Sequence, residues 1–558
     1  VADHTGQVAV PPFGWVNVPV SVNIESFAGD GLAAFGAWAA SPAVSGGWGD
    51  ELPVETVQNA WTGQKVPSYL EELYYRIHLY PARVDFGPIV NQVQTTFYVW
   101  NAHFVGRTLA AIQAQNAEGL SMDVSAPAQF KALEQKTVTL TASTEGPASF
   151  EATFTFDFTD ANDVVFTATG IRIFMLGWRP QAPMIERLEW KTMRQVSRSG
   201  REQRMALRRA PRQSFEITVL LTDKEDIVRM LGGLHRWQDR AWGFPIWTEA
   251  VAHTADIQVN ESQIILDTSN ADFREGGLLT IWQNNRRHTL ATIQSIVGTT
   301  VTLDSPIQTA WTGPKLIMPC RTVAVHQAVP IREFIEDLME LRLSFLVEDN
   351  IELTGYTPAL SYDGKAVVTE PTYVDGSIDR ESNALVVISD FETGKAHVFS
   401  DRDFELQKQA YTVHKETRAA CWDFRRFLHS LHGMRDTFWL PTFRGELELY
   451  ETATDPSTSF KVQARDFVGN YATGDPLKNH LMAVFSDGQR ICRRITGIAT
   501  DTTWEVVTVD APFGRDLVVG QVTLHWLDRV RLAADAVEIR WDRVDVLEAT
   551  LQVEAVTT

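Results

Sequence analysis

The stretch LGGLHRWQDRAWGFPIW at residues 231–247 returns as LHSLHGMRDTFWLPTF at residues 428–443. Both read L-x-x-L-H-x-x-x-D followed by an aromatic, a proline and a second aromatic, with one residue of slippage. The likeness continues downstream. Leu279 to Trp282 matches Met482 to Phe485, Val301 to Pro306 matches Val507 to Pro512, and Phe345 to Glu348 matches Leu551 to Glu554. From Asp304 and Asp510 onward the offset stays close to 206 residues over about forty positions. Chance does not hold such a register, so the C-terminal two-thirds reads as one module written twice.

Each copy carries the same local signals. A helix is predicted near Lys224–Arg236, with Ile227, Met230, Leu231 and Leu234 on one stripe. Its counterpart near Thr417–His432 carries Trp422, Phe427, Leu428 and Leu431. Short alternating strands follow, among them 263–266 and 300–303. One helix against antiparallel strands makes an α+β module dominated by β. Upstream, from about Tyr74, strand-like runs include 97–100, 137–140, Phe150 to Phe158 at period two, and a last run from Val164 to Trp178. About seven short strands over roughly a hundred residues suggest a β-sandwich. The fold class is therefore mainly β and multidomain. The expected divisions are an irregular arm at 1–73, a sandwich at 74–182, a first module at 183–355, a linker at 356–380 and a second module at 381–558.

The net charge of −20 opposes phosphate binding, which needs clustered cations, so specific nucleic-acid binding is not expected. Three widely spaced cysteines, Cys320, Cys421 and Cys492, argue against a disulfide framework or a cysteine metal cluster and for folding in a reducing cytoplasm. No apolar run spans a bilayer: the Ala/Gly-rich stretch from Gly31 to Trp48 is broken by Ser41, Pro42, Gly46 and Gly47. No signal-peptide pattern opens the sequence, so neither secretion nor membrane insertion is expected.

Two resemblances add to this reading. Val84 to Ile89 followed by Val99, Trp100 and Asn101 resembles the "fG … v.v.N" signature of immunoglobulin-like domains in cilia-associated and bacterial surface proteins. The run 189–192, then 197–204 and 211–216, followed by a helix and an aromatic/proline loop, resembles tail proteins of long-tailed bacteriophages and gene transfer agents, most of all the distal-tail type of tail-tip component. That opening motif is clear in the first copy only, since the second shares little there beyond Phe404 and Glu405. The resemblance spans roughly 183–558 and implies a virion protein of the tail tip, assembled in the host cytoplasm. It would be a ring joining the tail tube to the baseplate hub, without enzymatic activity. Tubes of that class are six-fold and hubs three-fold, so two modules per chain imply a homotrimer, with a homohexamer as the alternative. A receptor- or glycan-binding adhesin, with the sandwich as its head, is the competing function; it predicts saturable binding of the isolated 74–182 fragment to host cells or glycans.

The candidate residues allow more than one chemistry. His235 with Asp239, and His432 with Asp436, stand at i and i+4, which suits a metal half-site, a general base with its carboxylate, or a helix-end hydrogen bond. The hydrogen bond is favoured, because zinc needs at least three protein ligands. Arg194, Arg198, Arg201, Arg204, Arg208 and Arg209 form a basic segment that is read as an inter-subunit contact in preference to a DNA contact or a solvated loop. Trp242, Pro245, Trp439 and Pro441, with Trp247 and Trp282, are read as packing residues in preference to a sugar platform, and the less regular Trp38, Trp48 and Trp61 as docking anchors. The segments 60–65 and 310–315 lack the first glycine and the Lys-Ser/Thr ending of a phosphate loop and read as turn tips. No catalytic constellation, cofactor motif or metal-ligand set stands out.

Overall fold

A computed structural model describes residues 73–557, with breaks at 90–91, 144–145, 148, 198–200, 238–240, 374–379, 384–385, 401–404, 472–476 and 502. Before residue 73 it describes only a strand pair, Val8–Ala9 with Trp15–Val16. The arm expected at 1–73, with Trp38, Trp48, Trp61 and the turn at 60–65, otherwise lies outside the described residues. The chain is mainly β and divides into two compact units, Val1–Arg172 and Ile173–Thr558.

From residue 73 onward the described residues of the first unit form nine strands: β1 (Ile77–Tyr80), β2 (Arg83–Ile89), β3 (Val93–Asn101), β4 (Arg107–Gln115), β5 (Leu120–Met122), β6 (Ala128–Phe130), β7 (Gln135–Ala142), β8 (Ser149–Phe158) and β9 (Val164–Arg172). They form two sheets, ordered β2-β9-β8-β4-β6 and β1-β3-β7-β5, over one shared core. Period-two patterning decides which side chains enter that core. Phe150, Ala152, Phe154, Phe156 and Phe158 of β8 point inward while Glu151 stays out. Phe97 from one sheet stacks on Phe166 from the other, with ring centroids 4.1 Å apart. Asn101, the last residue of the immunoglobulin-like signature, is fully buried. Its amide donates to the carbonyls of Val105 and Lys131 at 3.0 and 2.8 Å, and its oxygen accepts from the His103 N–H. The residue holds a turn closed. The last strand ends at Arg172, short of Trp178, whose ring packs in the core of the second unit.

The second unit holds the duplication. The first repeat runs β10 (Gln181–Val196), β11 (Glu202–Leu221), α1 (Lys224–Trp237), β12 (Trp242–Pro245), β13 (Leu278–Asn284), β14 (Arg287–Val297), β15 (Thr300–Leu303), β16 (Lys315–Val325), β17 (Ile331–Ile335) and β18 (Leu338–Val347). The second runs β19 (Arg380–Asn383), β20 (Val386–Ser389), β21 (His397–Ser400), β22 (Leu406–Lys415), α2 (Arg418–Leu431), β23 (Thr437–Pro441), β24 (His480–Phe485), β25 (Arg490–Asp501), β26 (Trp504–Val509), β27 (Val522–Leu532), β28 (Ala536–Arg543) and β29 (Val546–Ala555). Pairings recur one for one. β11 lies on β18 as β22 lies on β29, and β12 on β16 as β23 on β27. β13 pairs with β14 and β16 as β24 pairs with β25 and β27, and β17 pairs with β18 as β28 with β29.

The ladders also correct the alignment of the opening hairpins. Phe215 lies opposite Phe345 and Tyr411 opposite Leu551, so Gln213-x-Phe215-x-Ile217 recurs as Gln409-x-Tyr411-x-Val413. The expected match of Phe215 with Phe404 is out of register, and Phe404 is not among the described residues. In the same way AVPIR at 328–332 recurs as AVEIR at 536–540.

Helix ends follow their local chemistry. Thr417 caps α2, its hydroxyl accepting the Ala420 N–H at 3.3 Å. The helix stops where His432 and Gly433 both take positive φ, 50° and 69°; a side chain at Gly433 would strike the Asp535 carboxylate. One large core serves both repeats, joining Trp190, Phe215, Trp242 and Phe345 to Tyr411, Phe427, Phe438 and Leu551. Each repeat adds an outer lobe with its own smaller core, around Ile281 and Val301 in the first and around Ala483 and Val507 in the second. Residues 356–373, expected as a linker, are packed: Tyr356 lies against Phe427, Val367 bridges to Trp439, and the Tyr362 carbonyl accepts the Trp439 indole N–H at 2.9 Å.

Candidate assembly interface

The two repeats meet along one seam with three layers. The outermost is a strand ladder: β10 pairs antiparallel with β28, Met184 opposite Trp541 through Glu189 opposite Ala536. The β10–β11 hairpin of the first repeat thereby continues the sheet of the second.

Beneath the ladder lies a charge cluster taken out of water. Arg425 of α2 reaches Glu186 at 2.9 Å and Glu249 at 2.5 Å, and all three side chains are under 5 % exposed. Glu186 also accepts from the Gln213 amide at 2.7 Å and the Trp541 indole at 2.9 Å, and Glu249 accepts the Asp272 N–H. Asp272 is held between Arg274 and Arg321 at 2.5 and 2.6 Å. Burial alone would raise the Asp272 carboxyl, but those two guanidinium groups hold it well below the usual carboxylate range. Burial pushes the Glu249 carboxyl up, against the pull of Arg425. For Arg425 burial opposes the charge, and the two glutamates outweigh it. Next to this cluster His429 accepts the Leu353 N–H at 3.1 Å; burial, then the nearby Arg425 charge, lowers its imidazole to about 3.

The third layer is a clasp at the hairpin tip. The Asp535 carboxylate accepts from the Thr192 N–H at 2.6 Å, the Thr192 hydroxyl at 2.7 Å and the Met434 N–H at 3.0 Å. Arg531, fully buried, holds Glu202 through two bonds of 2.8 Å and Glu554 at 3.1 Å. Such paired forks fix geometry as well as charge.

Of the six arginines read as inter-subunit contacts, three are engaged inside the chain. Arg194 pairs with Glu202 at 3.1 Å and approaches Glu554, Arg204 reaches the Met434 carbonyl, and Arg208 reaches the Trp190 carbonyl at 3.2 Å. They sit on the seam between repeats. Arg201 and Arg209 are exposed, and Arg198 is not among the described residues. Arg187, Lys191, Arg208 and Arg212 line an open groove of about 730 Å³ beside the seam, with Glu189 and Asp535 among them.

The repeat-signature residues are structural in their placement. His432 is the left-handed cap of α2 and Asp436 follows in the turn, so the two do not stack along a helix as their spacing suggested. The ring Nδ1 stands 3.5 Å from Asp436, while Nε2 pairs with Glu352 at 2.7 Å. His235 is exposed at the end of α1, and Asp239 is not among the described residues. Trp242, Pro245, Trp439 and Pro441 are buried, the prolines each ending a buried strand; Trp247 is buried and Trp282 packs beside it. The turn at 310–315 holds Gly313 at φ +76°, and the Lys315 ammonium folds back onto the carbonyls of Ala255 and Gly313. Among the described residues no group of three or more His, Cys, Asp or Glu is placed to hold a metal ion, and no helix is long and apolar enough to cross a membrane.

No family model matches the chain, and no curated protein matches it. The chemistry of the seam is cohesive: ladder, buried charge and clasp all join two copies of one body.

Sequence reasoning missed Arg425 and Arg531. A signal for the first was present, because Arg425 shares a helical face with Cys421, Phe424 and Leu428. Burial raises the thiols of Cys320, Cys421 and Cys492 to about 12, 11 and 12. A thiol-selective disulfide reagent at pH 8 is expected to find no reactive cysteine in the folded chain and three after denaturation; fast reaction in the folded state would contradict the buried placement.

Proposed function

We propose that this protein is a structural component of a bacteriophage tail tip, forming a collar between tail tube and baseplate hub as a homotrimer of duplicated chains. The observation that carries the reading is the seam: two copies of one β-rich body are locked side by side through β10 and β28 within a single chain. Six such bodies around an axis would satisfy a six-fold tube and a three-fold hub together, and the motif at 189–216 resembles the distal-tail class. A homohexamer is the alternative stoichiometry. The test is the mass of the purified particle in solution by light scattering. Three chains of 62.6 kDa are expected. A stable single chain, or an assembly of two or four, would overturn the collar.

A further inference from the structure

The seam has two halves, and each half exists a second time in the chain, where no such seam is formed among the described residues. The first repeat offers its hairpin and the second offers its back: β28, α2 and β27. Left over are the back of the first repeat and the hairpin of the second. We infer that these leftovers bind each other between neighbouring copies of the chain, head to tail, through the β17 edge and α1 on one copy and the β19–β22 hairpin on the next. The inference rests on the collar reading above and assigns its contact surface.

Three comparisons carry it. First, β17 is the repeat of β28, yet among the described residues it pairs only with β18. Ile539, covered by β10, is fully buried, whereas its equivalent Ile331 is 44 % exposed, with Phe334 and Ile335 beside it 49 % and 67 % exposed. Pro330 does not disable this edge. In a strand a residue's N–H and C=O point to the same side, and the Pro330 carbonyl accepts from Arg342 on β18, so the missing donor lies on the paired side. An exposed apolar edge of this kind is a template for another strand.

Second, the hairpins match end to end. With Gln213 equivalent to Gln409, Leu188 opposite Gln213 corresponds to Arg380 opposite Gln409. The same offsets carry Val196 opposite Glu202 onto Ile388 opposite Val398. The first hairpin lies clasped on the second repeat. The tip of the second is bare: Val387, Ile388, Val398 and Phe399 are 57 %, 65 %, 64 % and 56 % exposed. Apolar surface on this scale marks an interaction site.

Third, both sides change chemistry together. In the seam Glu202 grips Arg531. The hairpin equivalent of Glu202 is Val398. The equivalent of Arg531 is Ala324, since Val323 and Val325 pack on the shared core as Val530 and Leu532 do, and Cys320 lies opposite Pro245 as Leu527 lies opposite Pro441. A salt bridge has become a valine and an alanine. On the helices, with Leu231 equivalent to Leu428, the position of buried Arg425 is taken by Val228, which is 63 % exposed. The joint inside the chain is ionic, and the joint between chains is apolar. The difference keeps each hairpin from seating on the wrong repeat, because an apolar tip laid on Arg531 would strand its charge.

The register names the test. Glu189 lies opposite Ala536 inside the chain, so Glu381 should lie opposite Ala328 of the next copy. Opposed residues of an antiparallel pair stand within disulfide reach. The full-length chain carrying Ala328→Cys and Glu381→Cys, oxidised and run on a denaturing gel without reductant, is expected to show linked dimers and trimers that reduction collapses to one chain. The control Glu189→Cys with Ala536→Cys should close within the chain and leave its mass unchanged. Val398→Asp should shift the native particle toward single chains, with the fold retained by circular dichroism. If the unmodified chain assembles but Ala328→Cys with Glu381→Cys forms no inter-chain bond, this contact surface is wrong while the collar stands. Cross-linking that stops at two chains overturns the head-to-tail arrangement. A monomeric unmodified chain removes both proposals.

Discussion

Replacing Arg425 by methionine is expected to cost about 3–5 kcal/mol of folding stability, the range for removing one partner of a buried ion pair. Methionine keeps the stem that packs within α2 and deletes the charge. Glu186 and Glu249, nearly unexposed, then face each other's surroundings with no cation to offset their desolvation. Glu249 is already pushed toward its neutral form by burial, so it is expected to take up a proton when Arg425 is lost. Glu186 keeps the Gln213 amide and the Trp541 indole, two neutral donors that compensate only part of a full charge. The measurement is the urea midpoint of the variant against the parent. The triple change Arg425→Met, Glu186→Gln and Glu249→Gln should recover most of the loss, because the lone charges go with their partner. A single variant within about 1 kcal/mol of the parent, the range of exposed pairs, would show that water reaches this cluster. The effect bears on assembly, since Arg425 belongs to one repeat and both glutamates to the other.

Which parts of this arrangement the sequence disclosed follows from how each part is encoded. The helices, the aromatic/proline loops and the β13–β16 strands recur visibly because the same core must be filled twice, and core positions tolerate few substitutions in kind. The opening hairpins hide their kinship. Their tips differ in chemistry, one held to Arg531 through Glu202 and the other exposed and apolar, and the second tip loop is longer, so only Gln213-x-Phe215 and Gln409-x-Tyr411 survive to mark the register. The basic segment was legible as a contact surface, but a sequence cannot say whether the carboxylates it meets lie in the same chain. Here Glu202, Glu554 and the Met434 carbonyl do, because the hairpin carries Arg194 and Arg204 over the second repeat. The i, i+4 spacing of His432 and Asp436 suggested a helical pair; Gly433 ended the helix between them. Arg425 was hidden in a different way. A charged residue on an apolar helical stripe is easily assigned to the flank, and only its buried carboxylates, far away in sequence, reveal it as central.

Acid should loosen the second unit well before ordinary carboxylates titrate. His429 and His480 are 3 % and 7 % exposed and both are held neutral. Burial lowers His429 to about 3, reinforced by the charges of Arg425, His432 and Arg274 and opposed by Asp272. Burial lowers His480 to about 4, with Arg494 and Arg529 acting in the same direction and Asp363 and Asp510 against them. An unfolded histidine titrates near 6.5, so between pH 6.5 and the folded values the unfolded chain binds more protons. Each histidine therefore stabilises the fold fully above pH 6.5 and loses that contribution as pH falls. The loss is about 1.4 kcal/mol per pH unit, or about 2 kcal/mol for each by pH 5. Glu249 and Asp528, whose carboxyls burial raises, act in the opposite sense and return part of the loss as they take up protons in the folded state. Urea midpoints measured from pH 7 to pH 5 should fall steadily, and His429→Gln with His480→Gln should flatten the slope. A parent whose midpoint is level across that interval, or a double variant that falls as steeply as the parent, would mean these two rings are not kept neutral by burial. His429 adjoins Arg425 on α2, so the same acidification weakens the seam between the two repeats.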